Sequence, residues 1–211
     1  MRFRFPASDQ IHELTEVPTM AVDLGFGASK SCGLAWQQLP DGETHVRHVN
    51  FGRCVETVAD FLSDNVDSCL IVEAPLSGLF DSSGNPTGRL PFESAIVDGR
   101  TKSRYWYMQG GAVVGLSAMF LLSRVSRLVT LESNTVNLVE GFVSFKTRRS
   151  DDTDDALALL ASIRNSRTAT VYDVKPTASG ERSVNLLSFI GLVSPDEPCP
   201  TVVVVAVQET C

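Results

Sequence analysis

The stretch AVDLGFGASKS, Ala21 to Ser31, places one carboxylate, Asp23, inside a short apolar run. The alternation over Pro18–Phe26, broken by glycines at its end, is typical of a β-strand. A buried carboxylate is costly unless a cation, a metal, hydrogen bonds or water lie beside it. A strand that is simply solvated on the Asp23 face explains the pattern equally well. The role of Asp23 therefore depends on the rest of the chain.

The composition is typical of one compact globular domain. Of the 211 residues, 43% are hydrophobic and 20% are charged, and no low-complexity tract interrupts them. We therefore expect a single domain over residues 1–211, with its core at about 19–166 and a C-terminal extension over 167–211. The net charge of −7 argues against broad electrostatic binding to nucleic acid, although it is compatible with a local basic groove.

Cysteine usage predicts a cytoplasmic protein. The five cysteines are odd in number and lack CxxC spacing, so we expect reduced thiols, not a disulfide framework or a zinc site. The N-terminus lacks the apolar core of a signal peptide. Residues 105–123 are uncharged and close to the ~20 residues that span a bilayer. Glycines and a glutamine dilute them, so we interpret them as part of a helix packed inside an α/β domain.

The apolar pattern predicts a three-strand meander followed by alternating helices and strands, which indicates a mixed α/β sheet with an antiparallel start. The predicted strands are Met20–Phe26, Cys32–Gln38, His45–Val49, Ser68–Ala74 and Asn137–Phe145, with further β segments at Val184–Val193 and Thr201–Val207. The predicted helices are Arg53–Asn65, Ser103–Leu128 and Asp151–Ile163, and Pro75–Arg100 is predicted to be a long loop. The valine-rich segment at the C-terminus is either an added strand or a partner surface, and the sequence leaves both open.

Acidic residues open the last predicted helix. Its apolar stripe over 156–163 continues backwards through Asp152 and Asp155, so both should face the sheet. Asp151 and Asp154 are predicted to face solvent. Helix capping is the alternative explanation, with Asp152 as the N-cap and Asp155 at the third helical position.

Capping does not account for Asp23 or for Glu73, the only charge in the apolar run SCLIVEA. Two like charges ~4 Å apart repel by about 1 kcal/mol in water and about 4 kcal/mol at an intermediate dielectric, whereas a helix N-terminus returns only ~0.3–1 kcal/mol. A cluster of these acids therefore needs a divalent cation or raised pKa values. Oxygen ligands favour Mg²⁺ or Mn²⁺ over zinc, and the three histidines show no ligand spacing. Carboxylate-held metal ions can activate water and stabilise the leaving oxygen in phosphodiester cleavage.

Three acidic motifs resemble those of the ribonuclease H-like superfamily, above all the RuvC-type resolvases and a related family of predicted RNase H-like nucleases. They are AVDLGFGAS around Asp23, LIVEAPL around Glu73, and DxxDALAL, which starts at Asp152. The predicted order of elements over about residues 20–164 is similar as well.

The resemblance implies a mixed five-stranded sheet flanked by helices, with the C-terminal β segments as additions. It places Asp23 on the first strand, Glu73 at the end of the fourth and Asp155 at the start of the last helix. These three would be the catalytic residues of a nuclease that depends on Mg²⁺ or Mn²⁺. Asp152 would be an additional metal ligand.

Basic residues near the acidic helix are candidate contacts for a phosphodiester backbone. The predicted substrate-binding residues are Lys146, Arg148, Arg149 and Arg104, with Arg89, Arg100 and Lys102 as further candidates around the long loop. Scattered solubilising charges are the alternative explanation. Glu140, on the fifth predicted strand, is either a further acidic neighbour of the cluster or the ion-pair partner of one of these arginines, which is the simpler hypothesis.

The expected function is a metal-dependent phosphodiesterase or nuclease acting on structured DNA or RNA. No membrane partner is expected, and a homodimer is left open. The net charge favours an alternative, a non-catalytic ribonuclease H-like binding or scaffold module. A third hypothesis is actin-like nucleotide hydrolysis, suggested by DLGFGAS. Those enzymes need two such domains, and Ser29 stands before Lys30 where a phosphate-binding loop needs glycine.

Overall fold

The computed structural model describes residues 1–25, 31–39, 42–90, 93–97, 100–103, 111–144, 151–165 and 169–206. The strands in chain order are β1 Arg2–Arg4, β2 Thr19–Asp23, β3 Ser31–Gln37, β4 His45–Asn50, β5 Asp67–Glu73, β6 Ser77–Phe80, β7 Ser94–Val97, β8 Arg100–Ser103, β9 Thr135–Ser144, β10 Ala169–Tyr172, β11 Arg182–Asn185 and β12 Val202–Ala206. The helices are α1 Phe51–Asp64, α2 Gly111–Leu128 and α3 Asp152–Arg164, and 3-10 helices cover Ser8–Glu16 and Leu186–Ile190.

Eight of the described strands form one mixed sheet. Its spatial order is β10-β12-β9-β5-β2-β3-β4, and β1 pairs with the start of β9. The meander β2-β3-β4 is antiparallel, whereas β2, β5 and β9 run parallel to one another. The predicted mixed α/β sheet with an antiparallel start is therefore confirmed. The sheet is larger than the predicted five strands because both ends of the chain contribute to it.

Helices cover both faces of this sheet. Side chains alternate along each strand, so Val22 and Leu70 point to one face while Ala21 and Ile71 point to the other. The first face packs under α1 and α2, and the second under α3 and the N-terminal 3-10 helix. The central strands β2 and β5 are almost entirely buried, as their continuous apolar sequences require.

Local sequence signals set the boundaries of α1. Asn50 caps the helix, since its Oδ1 accepts a hydrogen bond of 2.9 Å from the Arg53 backbone N–H. The predicted apolar stripe of this helix is buried against the sheet; its members are Val55, Val58, Ala59 and Leu62.

Two predicted segments, one loop and one β segment, differ from the structure. The predicted long loop Pro75–Arg100 contains the strands β6 and β7, and β8 begins at its end. β6 pairs with β11, about a hundred residues later in the chain. The local sequence contains no pattern that predicts a pairing between such distant residues. The predicted β segment Val184–Val193 is a strand only at Val184 and Asn185, where β11 ends. The 3-10 helix Leu186–Ile190 follows, and its first turn is capped by the Asn185 side chain.

The long apolar helix α2 differs in part from its prediction. It begins at Gly111, whereas the predicted Ser103 ends β8, and residues 104–110 are outside the described part of the chain. One side of α2 packs into the core, but only 33% of its length is buried, so the domain does not enclose it. By length and composition alone, α2 is the one helix among the described residues that could cross a membrane.

The valine-rich segment at the C-terminus is a strand inside the sheet. β12 lies between β9, to which it is parallel, and β10, to which it is antiparallel. Val202 and Val203 are fully buried there. Of the two predicted roles for Thr201–Val207, the added strand is therefore the one the structure supports. Residues 207–211 are outside the described part of the chain.

Candidate metal centre

Three carboxylates from distant parts of the chain lie together at one edge of the sheet. Asp23 ends β2, Glu73 ends β5, and Asp155 lies in the first turn of α3. One oxygen from each lies within 4.8 Å of the other two. All three residues are buried, with exposed fractions of 8%, 2% and 3%. The structure therefore brings these three acids together, as the sequence predicted.

The strand register explains why the first two acids are neighbours. β2 and β5 are parallel, and Asp23 is paired directly with Glu73. The row continues across the sheet, with Gly141 of β9 beside Glu73 and Gly33 of β3 beside Asp23. Residues paired in this way point to the same face, which here is the face covered by α3. The two acids are therefore aimed at the helix that carries Asp155.

The glycines in this row let α3 approach closely. A Cβ on Gly141 would lie 2.9 Å from both methyl groups of Leu159, and a Cβ on Gly33 would lie 1.9 Å from the Asp152 backbone oxygen. A side chain at Gly33 would push the helix backbone outward, and one at Gly141 would displace the Leu159 side chain. Asp155 reaches Asp23 and Glu73 because the sheet carries glycines, without side chains, where α3 crosses it.

Capping of α3 is performed by a different pair of acids from the predicted one. Asp151 is the N-cap and accepts a hydrogen bond of 3.4 Å from the Thr153 backbone N–H, while Asp154 accepts one of 3.4 Å from the Asp151 backbone N–H. Both residues are exposed, as predicted. The capping alternative for Asp152 and Asp155 was wrong, because a turn that starts one residue earlier leaves those two side chains facing the sheet.

Asp152 lies in an adjacent group and not among the three clustered acids. Its Oδ2 lies 3.2 Å from Ser31 Oγ, which donates to it, and 3.4 Å from His48 Nε2. His48 and Asp151 complete this second group, which is more exposed than the first. Sequence spacing missed His48 because its position depends on strand pairing: His48 is opposite Gly33, and Gly33 is opposite Asp23.

The carboxylate triad fits a divalent cation by size and by donor type. Oxygen ligands lie at about 2.0–2.6 Å from such an ion, so two oxygens on opposite sides of it are about 4–5 Å apart. One oxygen of each acid lies within 4.8 Å of the other two, so a single ion can contact all three. Glu73 is held in place, since its Oε1 accepts a hydrogen bond of 3.2 Å from the Val143 backbone N–H. Asp23, Glu73 and Asp155 are the residues that could hold the cation.

The predicted substrate-binding residues Lys146, Arg148, Arg149 and Arg104 all lie outside the described residues. Arg89 is described, and its prediction as a substrate contact is wrong. Its guanidinium is buried, with Nη2 2.6 Å from Glu93 Oε1 and Nη1 2.7 Å from Glu140 Oε1. Arg89 cannot reach a bound polymer because it neutralises these two buried acids.

Glu140 therefore forms an ion pair, the simpler of its two predicted roles. It also accepts hydrogen bonds from the Leu76 backbone N–H at 2.8 Å and from Ser77 Oγ at 3.0 Å. Burial raises the pKa of Glu140 above its ordinary value, although Arg89 opposes that shift. Its neighbour Gly141 faces α3, so alternation along β9 directs Glu140 to the opposite face from the carboxylate triad.

The described cysteines, Cys32, Cys54, Cys69 and Cys199, are free thiols, as predicted.

No protein-family model and no curated protein matches this sequence.

Proposed function

We propose that this protein is a divalent-metal-dependent phosphodiesterase of ribonuclease H-like type that acts on a nucleic acid. The observation that carries the proposal is the approach of the Asp23, Glu73 and Asp155 oxygens to within 4.8 Å of one another in a buried setting. The mixed sheet supports it, because the resemblance described above implies an antiparallel three-strand start, here β2-β3-β4, followed by parallel strands, here β5 and β9.

Mg²⁺ or Mn²⁺ is the proposed cofactor, because all three donors are carboxylates and hard oxygen ligands suit these ions. Bound there, such an ion would supply Lewis-acid activation of water and charge stabilisation at the phosphodiester. Asp23 and Glu73 hold their oxygens on two rigid central strands, and α3 brings Asp155 to them. Asp152, fixed by Ser31 and His48 at the adjacent group, is the proposed additional ligand.

Calorimetry of the purified protein tests the metal site independently of any substrate. A ligand that binds only the folded state stabilises it by about 2.7 kcal/mol at one hundred times its dissociation constant, which raises the melting temperature of a domain this size by about 5–10 °C. We expect this rise with Mg²⁺ or Mn²⁺ in the wild type, and its loss in Asp23→Asn and Glu73→Gln. The matched control is Asp154→Asn, the same charge change on the exposed side of α3, which should keep the rise.

Cleavage assays test the chemistry. The wild type should cleave at least one structured DNA or RNA substrate with Mg²⁺ or Mn²⁺, and Asp155→Asn should not. Absence of cleavage of every nucleic-acid form, together with identical behaviour of the wild type and Asp23→Asn, would overturn the proposal. Anomalous scattering from crystals soaked in Mn²⁺ would locate the ion, which we expect between the three carboxylates.

A non-catalytic binding module is the second candidate function. The net charge of −7 and the sequestration of Arg89 in a buried ion pair favour it over a nuclease with a broad basic surface. Such a module would show neither the metal-linked rise in melting temperature nor cleavage. The same two measurements therefore decide between the candidates.

A further inference from the structure

The exposed side of α2 is apolar over its first three turns. Val113, Leu116 and Phe120 have exposed fractions of 57%, 64% and 57%, and their i, i+3, i+7 spacing puts them on one stripe. A surface helix ordinarily directs polar side chains to solvent along such a stripe. Contiguous exposed apolar surface of this kind marks an interaction site.

A groove runs beside this stripe and extends the apolar surface. It has a volume of about 380 Å³ and shares Leu116 with the stripe. The other side chains that form its walls include Pro75, Phe80, Pro86, Met119 and Leu186. Gly115 forms part of its floor, where a Cβ would lie only 2.9 Å from the Pro75 backbone oxygen. The stripe and the groove together form one surface, which we call the α2 surface.

Charges of opposite sign lie at the two ends of the α2 surface. Arg124 and Arg127 are exposed on the last turns of α2, and neither forms an ion pair within the described residues. At the other end, Phe80 belongs both to the groove and to a neighbouring cavity, whose charged lining residues are Asp81, Glu181 and Arg182, so acids outnumber bases there. Backbone hydrogen bonds lower the pKa of both acids, so both are ionised at neutral pH.

We propose that the α2 surface binds a second copy of this chain, with the two α2 helices antiparallel about a two-fold axis between Leu116 and Phe120. A two-fold contact pairs a surface with itself, which suits an uncharged apolar stripe. Arg124 lies twelve residues, about 18 Å, beyond Ala112 along the helix. The antiparallel arrangement therefore brings the basic end of each copy to the groove end of the other, where Asp81 and Glu181 lie.

A membrane surface fits these observations less well than a second copy. Helices that lie on membranes carry Lys and Arg along the polar face, and binding to anionic lipids needs net positive charge. α2 has only two basic residues, both near its C-terminal end, and the chain carries a net charge of −7. Its buried side, which includes Leu121, Leu122 and Val125, is part of the core and cannot be withdrawn from it.

The proposed interface does not cover the carboxylate triad. α2 packs on the sheet face opposite α3, so the contact and the triad lie on different layers of the molecule. Assembly and metal binding are therefore separable. A variant that abolishes one should keep the other.

Sedimentation equilibrium from about 1 μM to about 1 mM protein tests the proposal. The wild type should fit a monomer–dimer equilibrium, and Leu116→Glu should raise the dimer dissociation constant at least about thirtyfold, as expected for a central interface residue. The matched control is Val66→Glu, which adds the same charge at a side chain that is 62% exposed and belongs neither to the stripe nor to the groove. That variant should dimerise like the wild type.

A charge reversal at the rim provides a second variant that leaves the core untouched. Arg124→Glu should weaken the dimer about tenfold, and the double variant Arg124→Glu with Asp81→Lys should recover most of the loss. Circular dichroism confirms that each variant is folded. A wild type that stays monomeric at every concentration, a dimer that Leu116→Glu does not weaken, or a monomer that instead binds phosphatidylserine vesicles would each overturn the proposal.

Discussion

Gly33 lies opposite Asp23 in the paired strands β2 and β3, directly beneath the start of α3. A Cβ there would come within 1.9 Å of the Asp152 backbone oxygen, and helix backbone cannot rotate aside as a side chain can. We expect Gly33→Ala to push α3 outward and to lower the free energy of unfolding by about 1–3 kcal/mol in urea titration. The metal-linked rise in melting temperature should also fall, because Asp155 moves with the helix.

Gly52→Ala is the matched control for this substitution. Gly52 lies in the first turn of α1, and the nearest atom to its added Cβ would be Asn50 Oδ1 at 3.6 Å. Since alanine is the better helix former, this variant should be as stable as the wild type or up to about 1 kcal/mol more stable. Equal stability of the Gly33→Ala and Gly52→Ala variants would contradict the close approach of α3 to the sheet.

Asp173 gives the protein a predictable response to acid. Its carboxylate accepts hydrogen bonds of 2.8 and 3.0 Å from the Ser8 backbone N–H and Oγ, and Lys175 Nζ lies 2.7 Å away. Burial would raise the pKa of Asp173, but the bonds from Lys175 and Ser8 outweigh it and hold the pKa below its ordinary value of 3.8. A depressed pKa contributes stability that is present above pH 3.8 and is lost as the pH falls through the lowered value.

We therefore expect Asp173→Asn to lower the free energy of unfolding by about 1–2 kcal/mol at pH 7. The difference from the wild type should shrink as the pH falls below 3.8, because the unfolded chain binds a proton there while the native carboxylate binds one only at its lowered pKa. Urea titrations from pH 7 to pH 3 measure this, with the exposed Asp196→Asn as a control of equal charge change. A deficit that stays constant down to pH 3 would show that the ionised form of Asp173 contributes nothing.

The positions of the functional residues were predictable only where a local repeat of apolar residues shows which face of a strand or helix is buried. Alternation placed Asp23 on a strand, the continuous apolar run SCLIVEA placed Glu73 on another, and the helical stripe directed Asp155 toward the sheet. His48 and Arg89 were misjudged because their surroundings come from strand pairing and from a buried ion pair, which link residues far apart in sequence. A residue's type and period determine which face it lies on, but not which distant residue it meets there.

At the scale of elements, the ion pairs of Arg89 fasten the segment that contains β6 onto β9. The side chains of Arg89 and Glu140 are each 1% exposed, and Glu93 is equally buried. Removing the cation leaves two buried acids without compensation. We expect Arg89→Met to lower the free energy of unfolding by about 3–5 kcal/mol, measured by urea titration.

An exposed arginine provides the comparison. Arg53 is 2.6 Å from Glu56 on the outside of α1, with side chains 67% and 58% exposed. Solvent screens that pair, so Arg53→Met should leave the free energy of unfolding close to that of the wild type. If the two arginine variants proved equally stable, the Arg89 network would not be what holds this segment on the sheet.

Helices and strands with a clear local pattern of apolar residues were predictable from the sequence. Strands that depend on pairing with a distant strand were not. The apolar stripe of α1 and the buried runs of β2 and β5 were recognised because each buries a complete local pattern. The strands β6 and β10 were missed: both are four residues long, and each pairs with a strand remote in sequence. Such short strands are stabilised by pairing with a distant strand and not by a local pattern.

At the scale of the whole molecule, both ends of the chain meet on one strand. β9 is paired by β5 along one side, and along the other side by β1 at its start and β12 at its end. The predicted core at 19–166 and the extension at 167–211 therefore share a sheet. Removing residues 1–18 and 167–211 would leave one whole side of β9 without hydrogen-bonding partners and would expose Val139 and Val143, which pack against the valines of β12.

We accordingly predict that the chain unfolds as one cooperative unit and that the fragment 19–166 does not fold alone. Backbone circular dichroism and tryptophan fluorescence should report one coincident urea transition for the full chain. The fragment should lack that transition and should aggregate, because an unpaired apolar strand edge pairs with other chains. Folding of the fragment with a transition of its own would mean that β1, β10 and β12 are additions to an independent core. The proposed metal centre would then be testable in the fragment alone, since Asp23, Glu73 and Asp155 all lie within it.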